Sequence, residues 1–407
     1  MKALQRADKA LGLLACAALQ PLRWLPARTK SNARTEKVLA IKFWGIGSLQ
    51  LLTPAIASLR VRHPRAAITF LTLAGNREFA EQLGVFDSVL TLDVAQAGIV
   101  AVPARIVQLV ARLRAQRFDV VYDFEFFTRF SAVVALLTRA PRRHGFASPR
   151  VWRGSFHTDV VPFNRYWHVA RNFRVLAGGE NGRNIAADDV EPVAVNASDE
   201  LAATNALAAR GVADHAPFVV LNPNAGSLSL ERRWPRAMFA QLAQRFIAEE
   251  RVTVVLIGAR SEFAYTQDVA ERAASPRCVN LAGELSTGAL TAVLARAGVV
   301  VTNDSGPMHI AAALGAPTLG LFGPETPVMY GPLGLRARAL YRPPPCSPCI
   351  NVHNNKVASC IYGQPQCLVA ISVDEVFDAA RALARGEDFL PKPHPHQVFA
   401  ALTARSS

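Results

Sequence analysis

Residues 299–324 read VVVTNDSGPMHIAAALGAPTLGLFGP. The run 299–302 is apolar and β-branched, as suits a buried parallel strand. Asn303, Asp304 and Ser305 follow, each able to cap a helix. Gly306 and Pro307 fit a turn and a first helical position. Residues 308–314 favour a helix, and Gly315 stands where a C′ glycine ends one. Residues 318–322 predict the next strand, before Gly323-Pro324. The polar residues therefore gather at a helix N-terminus. Its N–H groups and dipole can hold a phosphate or diphosphate, and His309 reaches the same place. The alternative is a capped βα unit whose polar residues only satisfy their own backbone.

Upstream of this stretch the same alternation repeats. A strand at 218–221 runs into Asn222-Pro223-Asn224-Ala225-Gly226-Ser227, and Glu231-Arg232-Arg233-Trp234-Pro235 leads into a helix at 236–249. A strand at 252–257 ends before Glu262, which opens another helix. Earlier still, a strand at 38–43 meets the glycine-rich turn Gly45-Ile46-Gly47-Ser48 and a single helix over 49–62. Strands at 68–73, 88–92 and 120–123 alternate with helices at 77–83, 105–116 and 129–138. Such alternation predicts parallel sheets covered on both faces, with ligands at the carboxyl ends of the strands. Gly47, Ser48, Asp123 and Glu125 fall at such ends. Residues 151–199 read as irregular, with a polar linker at 188–198. The predicted class is α/β, with two Rossmann-like domains facing across a cleft. The expected division is a leader at 1–36, a first domain at 37–190 and a second at 191–407.

The chain has 407 residues, half of them apolar, and a net charge of +14. This composition affords a large core and favours acidic partners. The cations are dispersed, and no RNP motif, zinc-finger spacing or basic-aromatic repeat occurs, which argues against nucleic acid. The leader carries Lys2, Arg6 and Lys9 before an apolar run too short to span a bilayer. It predicts an interfacial helix on an anionic membrane surface, with a packed leader helix or a signal peptide as alternatives. Cys346, Cys349, Cys360 and Cys367 cluster late in the chain. They suit a structural zinc, a disulfide pair or a set of reduced thiols.

The glycine turn, the NPNAGS and RRWP segments, DSGPMHIAAALGAP and the late cysteines together resemble glycosyltransferase family 9. That family includes the ADP-heptose:lipopolysaccharide heptosyltransferases. The resemblance spans about 37–384 and implies a GT-B fold, acceptor domain first and nucleotide-sugar domain second. It also implies an inverting sugar transfer, often of heptose, without a metal or other cofactor. The implied setting is the cytoplasmic face of the inner membrane. Asp304, Ser305, Gly306 and His309 match the family segment that holds the donor's sugar and diphosphate. Ala225, Gly226 and Ser227 match a phosphate-contacting loop. Arg232 stands where the heptosyltransferases commonly have Lys, and Glu262 matches an acidic residue near the nucleoside. Glu262 suits a helix N-terminus equally well.

The departure lies at Gly47-Ser48, where the family has Gly-Asp and the Asp is the general base. A serine hydroxyl is no base near neutral pH. Asp123 and Glu125, two apart at another strand end, are the substitute candidates, with Glu125 preferred. The alternative is that one pairs with Arg129 or caps the following helix. The expected function is transfer of a sugar, with ADP-heptose as leading donor, to an acidic lipid-linked saccharide such as a lipopolysaccharide core. Another nucleotide sugar, or a binding protein that has lost its base, are the alternatives.

Overall fold

The computed structural model describes residues 2–24, 35–94, 102–148, 151–179, 184–226, 229–350 and 359–387. The alternating patterns become two six-stranded sheets, each wholly parallel. The first holds β1 (Lys37–Ile41), β2 (Ala67–Leu73), β3 (Ser88–Leu92), β4 (Val120–Asp123), β5 (Arg142–Ala147) and β6 (Asp159–Pro162). The second holds β7 (Phe218–Asn222), β8 (Thr253–Leu256), β9 (Cys278–Asn280), β10 (Val300–Asn303), β11 (Thr318–Phe322) and β12 (Ala337–Tyr341). Their orders are β3-β2-β1-β4-β5-β6 and β12-β11-β10-β7-β8-β9, one topology read from opposite edges. The direction of winding reverses between β1 and β4, and between β7 and β10. Helices leave on opposite faces there, so a crevice opens outside the strand ends.

Two expectations change in the structure. The helix expected over 49–62 is two helices, Ile46–Gln50 and Thr53–Arg62. Pro54 lies in the first turn of the second, and it has no N–H to donate to the carbonyl of Gln50, four residues back. The span read as irregular holds β6 and the helix Val169–Leu176, and β5 precedes it. The sequences of β5 and β6, RRHGFA and DVVP, are too polar and too short to announce strands. β5 is placed by its register with β4 and by Tyr122, whose ring stacks on His144 at 4.6 Å, and β6 by its register with β5. The helix Val169–Leu176 packs on Thr53–Arg62, whereas Ala197–Ala208 packs on Thr287–Arg296. The chain therefore crosses between halves within 177–196.

The leader helix Lys2–Ala18 packs on the helix Arg129–Leu137. Asp8 accepts hydrogen bonds from the backbone N–H of Arg129 (3.1 Å) and Phe130 (2.8 Å). It thereby caps a helix whose own Thr128 makes no side-chain cap. Cys16 is buried with Ala132, Val133, Leu136 and Phe156. On the solvent side Leu11, Leu13, Leu14 and Trp24 are exposed.

Two buried charge groups lock the ends of the central strands. Glu125 Oε1 accepts from Lys42 Nζ (2.9 Å), Phe43 N (2.8 Å) and Trp44 N (3.0 Å). Asp123 pairs with Arg153 and with His157 Nε2 (3.0 Å). Burial alone would raise the Asp123 carboxyl, but Arg153 and His157 hold it below its usual range.

The Glu125 pair sets a stability prediction. Removing one member of a buried pair strands the other, at about 3–5 kcal/mol. Glu125→Gln should lose stability on that scale in urea unfolding, and the paired change Lys42→Met with Glu125→Leu should lose less. Equal losses in both would show that Lys42 and Glu125 are not coupled.

A second prediction concerns acid. Burial lowers His144 and His168 to about 4. In the unfolded chain both titrate near pH 6.5. Below that value the unfolded chain binds protons that the folded chain refuses until about pH 4. Their contribution to stability is complete above pH 6.5 and is lost as pH falls toward 4. Melting temperature should therefore drop between about pH 7 and 5, and less steeply in His168→Gln. A flat profile would contradict the neutral, buried state of both rings.

Candidate active site

The donor side is built from loops at the ends of β7, β8 and β10. Asn222 ends β7, and its Nδ2 donates to Thr302 Oγ1 (3.1 Å) and Ser305 Oγ (3.0 Å). Ser305 is the N-cap of the helix Gly306–Ala313, but it makes no side-chain cap bond. Its hydroxyl is engaged by Asn222 and Thr302 instead. The helix N–H groups are left to a ligand, which is the arrangement an anion needs. Gly315, with φ of +77°, follows the helix as its C′ residue.

Arg232 spans this terminus. Its guanidinium donates to Asp304 O (2.9 Å), Asp304 Oδ2 (3.1 Å) and Ala225 O (2.5 Å). One side chain therefore joins the β7 loop to the end of β10. Gly226 turns the loop beside it with φ of +67°. Ser227 lies outside the described residues. Glu262 stands at the far end, after β8. Its Oε2 accepts from Ala259 N (3.0 Å) and its Oε1 lies 3.4 Å from Arg233.

From the first half, the turn at Gly45 to Ser48 closes over the helix terminus. Gly45 has φ of +82°, a conformation that suits glycine. A Cβ on Gly47 would sit 2.6 Å from His309 Cδ2 and 3.0 Å from Gly306 Cα. Only glycine permits that approach. A second tie between the halves is His168, whose Nε2 lies 3.0 Å from Gly331 O.

The resulting cleft has a volume of about 410 Å³. Gly45, Gly47, Ser48, Ala225, Gly226, Arg232, Glu262, Asp304, Ser305, Gly306 and His309 all line it. Asp123 and Glu125 do not line it, because both are fully buried beneath it. Glu125 Oε1 is saturated by Lys42, Phe43 and Trp44, while its Oε2 reaches neither a partner nor solvent. The expectation of a catalytic base at Glu125 or Asp123 is therefore corrected. Glu125 positions Lys42, and Asp123 anchors Arg153. The cap of the helix Arg129–Leu137 comes from Asp8.

Sequence reasoning missed several lining residues: Lys42, Trp44, Phe126, Phe127, Glu325 and Tyr330. Lys42 carried a signal, as a lone cation ending the apolar strand VLAI. Glu325 carried one too, as a carboxylate directly after the Gly323-Pro324 turn.

Among the described residues none of the four late cysteines is joined in a disulfide: Cys346 is exposed, Cys349 and Cys360 half-buried and Cys367 buried. Among the described residues no group of three or more His, Cys, Asp or Glu is placed to hold a metal. Burial pushes the Cys367 thiol up to about 11. Cys360 Sγ donates to Gln364 O at 3.2 Å. His353 lies outside the described residues.

Known proteins share this architecture. The family model for glycosyltransferase family 9 (heptosyltransferase) matches residues 106–358, more than half of the chain. Lipopolysaccharide heptosyltransferase 2 of Escherichia coli K12 is 24% identical over 366 residues, 86% of this chain and 99% of that one. Lipooligosaccharide heptosyltransferase 2 of Haemophilus influenzae is 37% identical over 111 residues, 26% of this chain and 31% of that one. The solved structure of Escherichia coli ADP-heptose lps heptosyltransferase II superimposes with a TM-score of 0.67 at 24% identity, over 86% of this chain and 99% of that one. A family 9 glycosyl transferase from Veillonella parvula DSM 2008 gives 0.68 at 22% identity, over 89% and 99%. These structures share the fold, two Rossmann-like domains in the GT-B arrangement. The extent of the family match makes this chain a member of glycosyltransferase family 9, and a glycosyltransferase.

Proposed function

We propose that this protein transfers heptose from ADP-heptose to an anionic, lipid-linked saccharide of the lipopolysaccharide-core type, with inversion at the anomeric carbon. One observation carries the reading. The helix Gly306–Ala313 presents uncapped N–H groups into the cleft, beside Arg232 and below the first domain's glycine turn. A diphosphate is the ligand that such a terminus and guanidinium fit together.

In this reading the donor lies along the second domain. The diphosphate spans the helix terminus, Arg232 and the Ala225-Gly226 backbone. Glu262 accepts from the ribose hydroxyls, and Asp304 with His309 faces the sugar. The acceptor enters over Lys42, Trp44 and Ser48. Lys42 offers a cation held in place by Glu125. The acceptor oxygen bonds to the anomeric carbon as the bond from that carbon to the β-phosphate oxygen breaks. The acceptor proton passes to a base, and ADP departs. Arg232 and the helix dipole stabilise the charge that develops on the leaving diphosphate. The relatives' names supply the donor and acceptor, since they are called lipopolysaccharide and ADP-heptose heptosyltransferases.

The experiment is calorimetry with ADP-heptose and a panel of UDP- and GDP-sugars, followed by transfer to a lipid-linked core acceptor. ADP-heptose should bind most tightly and be consumed. Arg232→Ala should weaken its binding by roughly 10–100-fold, the value of a charged hydrogen-bond set. Tight binding of a UDP-sugar with no response to ADP-heptose would reassign the donor. Unchanged affinity in Arg232→Ala would move the diphosphate elsewhere.

We place this work at the cytoplasmic face of the inner membrane, with the protein peripheral to it. Among the described residues no helix is long and apolar enough to cross a membrane. The leader instead exposes Leu11 (64%), Leu14 (66%) and Trp24 (73%) on a chain of net charge +14. Apolar side chains on a basic body suit an anionic lipid surface. Because Asp8 and Cys16 hold the leader to the first domain, deletion would confound fold with binding. Replacing Leu11 and Leu14 with Ser and Trp24 with Ala should reduce sedimentation with phosphatidylglycerol vesicles and spare ADP-heptose binding. Equal sedimentation of both forms would remove the leader from the membrane contact.

A further inference from the structure

An inverting transfer needs a group that takes the acceptor proton as the new bond forms. Among the described residues the first domain brings no carboxylate to the cleft lining. Position 48 is serine, and Asp123 and Glu125 are sealed below the floor by Arg153, His157 and Lys42. Among the described residues, the carboxylates lining the cleft are Glu262, Asp304 and Glu325. Glu262 is tied to Arg233 and Ala259 N, at the end assigned to the nucleoside. Asp304 is tied to Arg232, at the diphosphate. Glu325 follows β11, one strand beyond β10.

The loop that carries Glu325 is held from behind. Cys349 N and Ile350 N donate to Pro324 O at 3.0 and 2.9 Å. Glu325 Oε1 accepts from Thr326 N at 3.0 Å, and the side chain is 3% exposed. Backbone and rotamer are therefore both braced, as precise proton transfer requires. The neighbouring Tyr330 also lines the cleft. Its hydroxyl is pushed well above the ordinary tyrosine range, first by burial and then by the charges of Glu325, Asp304 and Glu125. One hydroxyl thus feels the donor-side Asp304, Glu325, and the Glu125 that underlies the Lys42 wall. Glu325 and Tyr330 thus line one cleft with Lys42, Trp44 and Ser48 of the first domain and with Asp304 and His309 of the second.

We propose that Glu325, contributed by the second domain, is the general base that accepts the acceptor hydroxyl's proton in this enzyme. The inference rests on the transfer reaction proposed above. The proton moves to the Glu325 carboxylate, the acceptor oxygen attacks the anomeric carbon, and the electron pair of the breaking bond leaves with ADP. The base function has thereby moved across the cleft from the turn that now carries Ser48.

The test uses the full-length protein with ADP-heptose and a lipid-linked core acceptor. Glu325→Gln should lower kcat by about 10²–10⁴-fold. Its donor affinity should stay within about threefold of wild type, well under the tenfold step of 1.4 kcal/mol. The acid limb of its pH–rate profile should disappear. Glu325→Ala should regain turnover when formate or acetate is added, because a small carboxylate can enter the space left and act as base. Ser48→Asp placed in Glu325→Gln should restore part of the rate. Wild-type turnover in Glu325→Gln overturns the assignment and leaves the transfer reaction standing. A loss of donor affinity that parallels the loss of kcat, with no rescue by formate, makes Glu325 a donor contact and overturns it equally. Absence of transfer by the wild type would instead sink the reaction itself, and the base with it. Should Glu325→Gln fail to fold, Glu325→Asp decides. It should retain a measurable rate with a displaced acid limb, and an unchanged profile refutes the proposal.

Discussion

The site depends on the approach of two glycines from different domains. Gly47 lies against Gly306 and His309 so closely that a methyl group would not fit. That contact sets the first domain's glycine turn on the first turn of the helix Gly306–Ala313. It brings Ser48, Lys42 and Trp44 to the same cleft as Asp304 and Arg232. Any side chain at Gly47 would push the turn off the helix, and with it the first-domain wall off the donor. The His168 to Gly331 hydrogen bond holds the same seam at a second point, close to Tyr330.

Electrostatics within the seam is layered. The floor holds charges that neutralise one another: Lys42 with Glu125, and Asp123 with Arg153 and His157. Such buried groups add little net stability, but losing one member is expensive. They fix the ends of β1 and β4, which must stay rigid if the glycine turn is to meet the helix. Above the floor, Arg232 reaches Asp304 and two backbone carbonyls, and the helix terminus offers unpaired N–H groups. The upper layer is the one with capacity for an anion. Its cations and dipoles are oriented before a ligand arrives, which is what makes them effective on a charge that develops during reaction.

The leader shows how a distant segment can serve two ends. Asp8 satisfies the first N–H groups of the helix Arg129–Leu137, and Cys16 fills a small core beside Phe156. The leader is therefore part of the first domain as well as the carrier of exposed Leu11, Leu14 and Trp24. The late cysteines lie behind the other half of the cleft. Cys349 N braces Pro324, and a Cβ on Gly323 would meet Cys367 Sγ at 2.7 Å. Their place in the structure is support of the Glu325 loop, through packing and backbone bonds.

Sequence alone determined the architecture and most of the second domain's share of the cleft lining. Alternating apolar runs with Gly, Pro and Ser at fixed offsets encode parallel strands and helix starts locally, so residues 299–324 were legible unaided. So was the anion-ready terminus at Ser305-Gly306, because caps and dipoles are properties of neighbouring residues. The strands β5 and β6 were not legible, since β5 becomes a strand only by pairing with β4, and β6 only by pairing with β5. Nor were the roles of Asp123 and Glu125. Their spacing at a strand end looked catalytic, but Lys42 comes from 83 residues away from Glu125, and Arg153 and His157 from 30 and 34 residues away from Asp123. Glu325 was overlooked for the converse reason, because its one local signal, a carboxylate after a turn, does not reveal the cleft that it lines with Lys42 and Trp44. Which carboxylate faces the cleft depends on contacts between distant segments, and only the tertiary structure decides those.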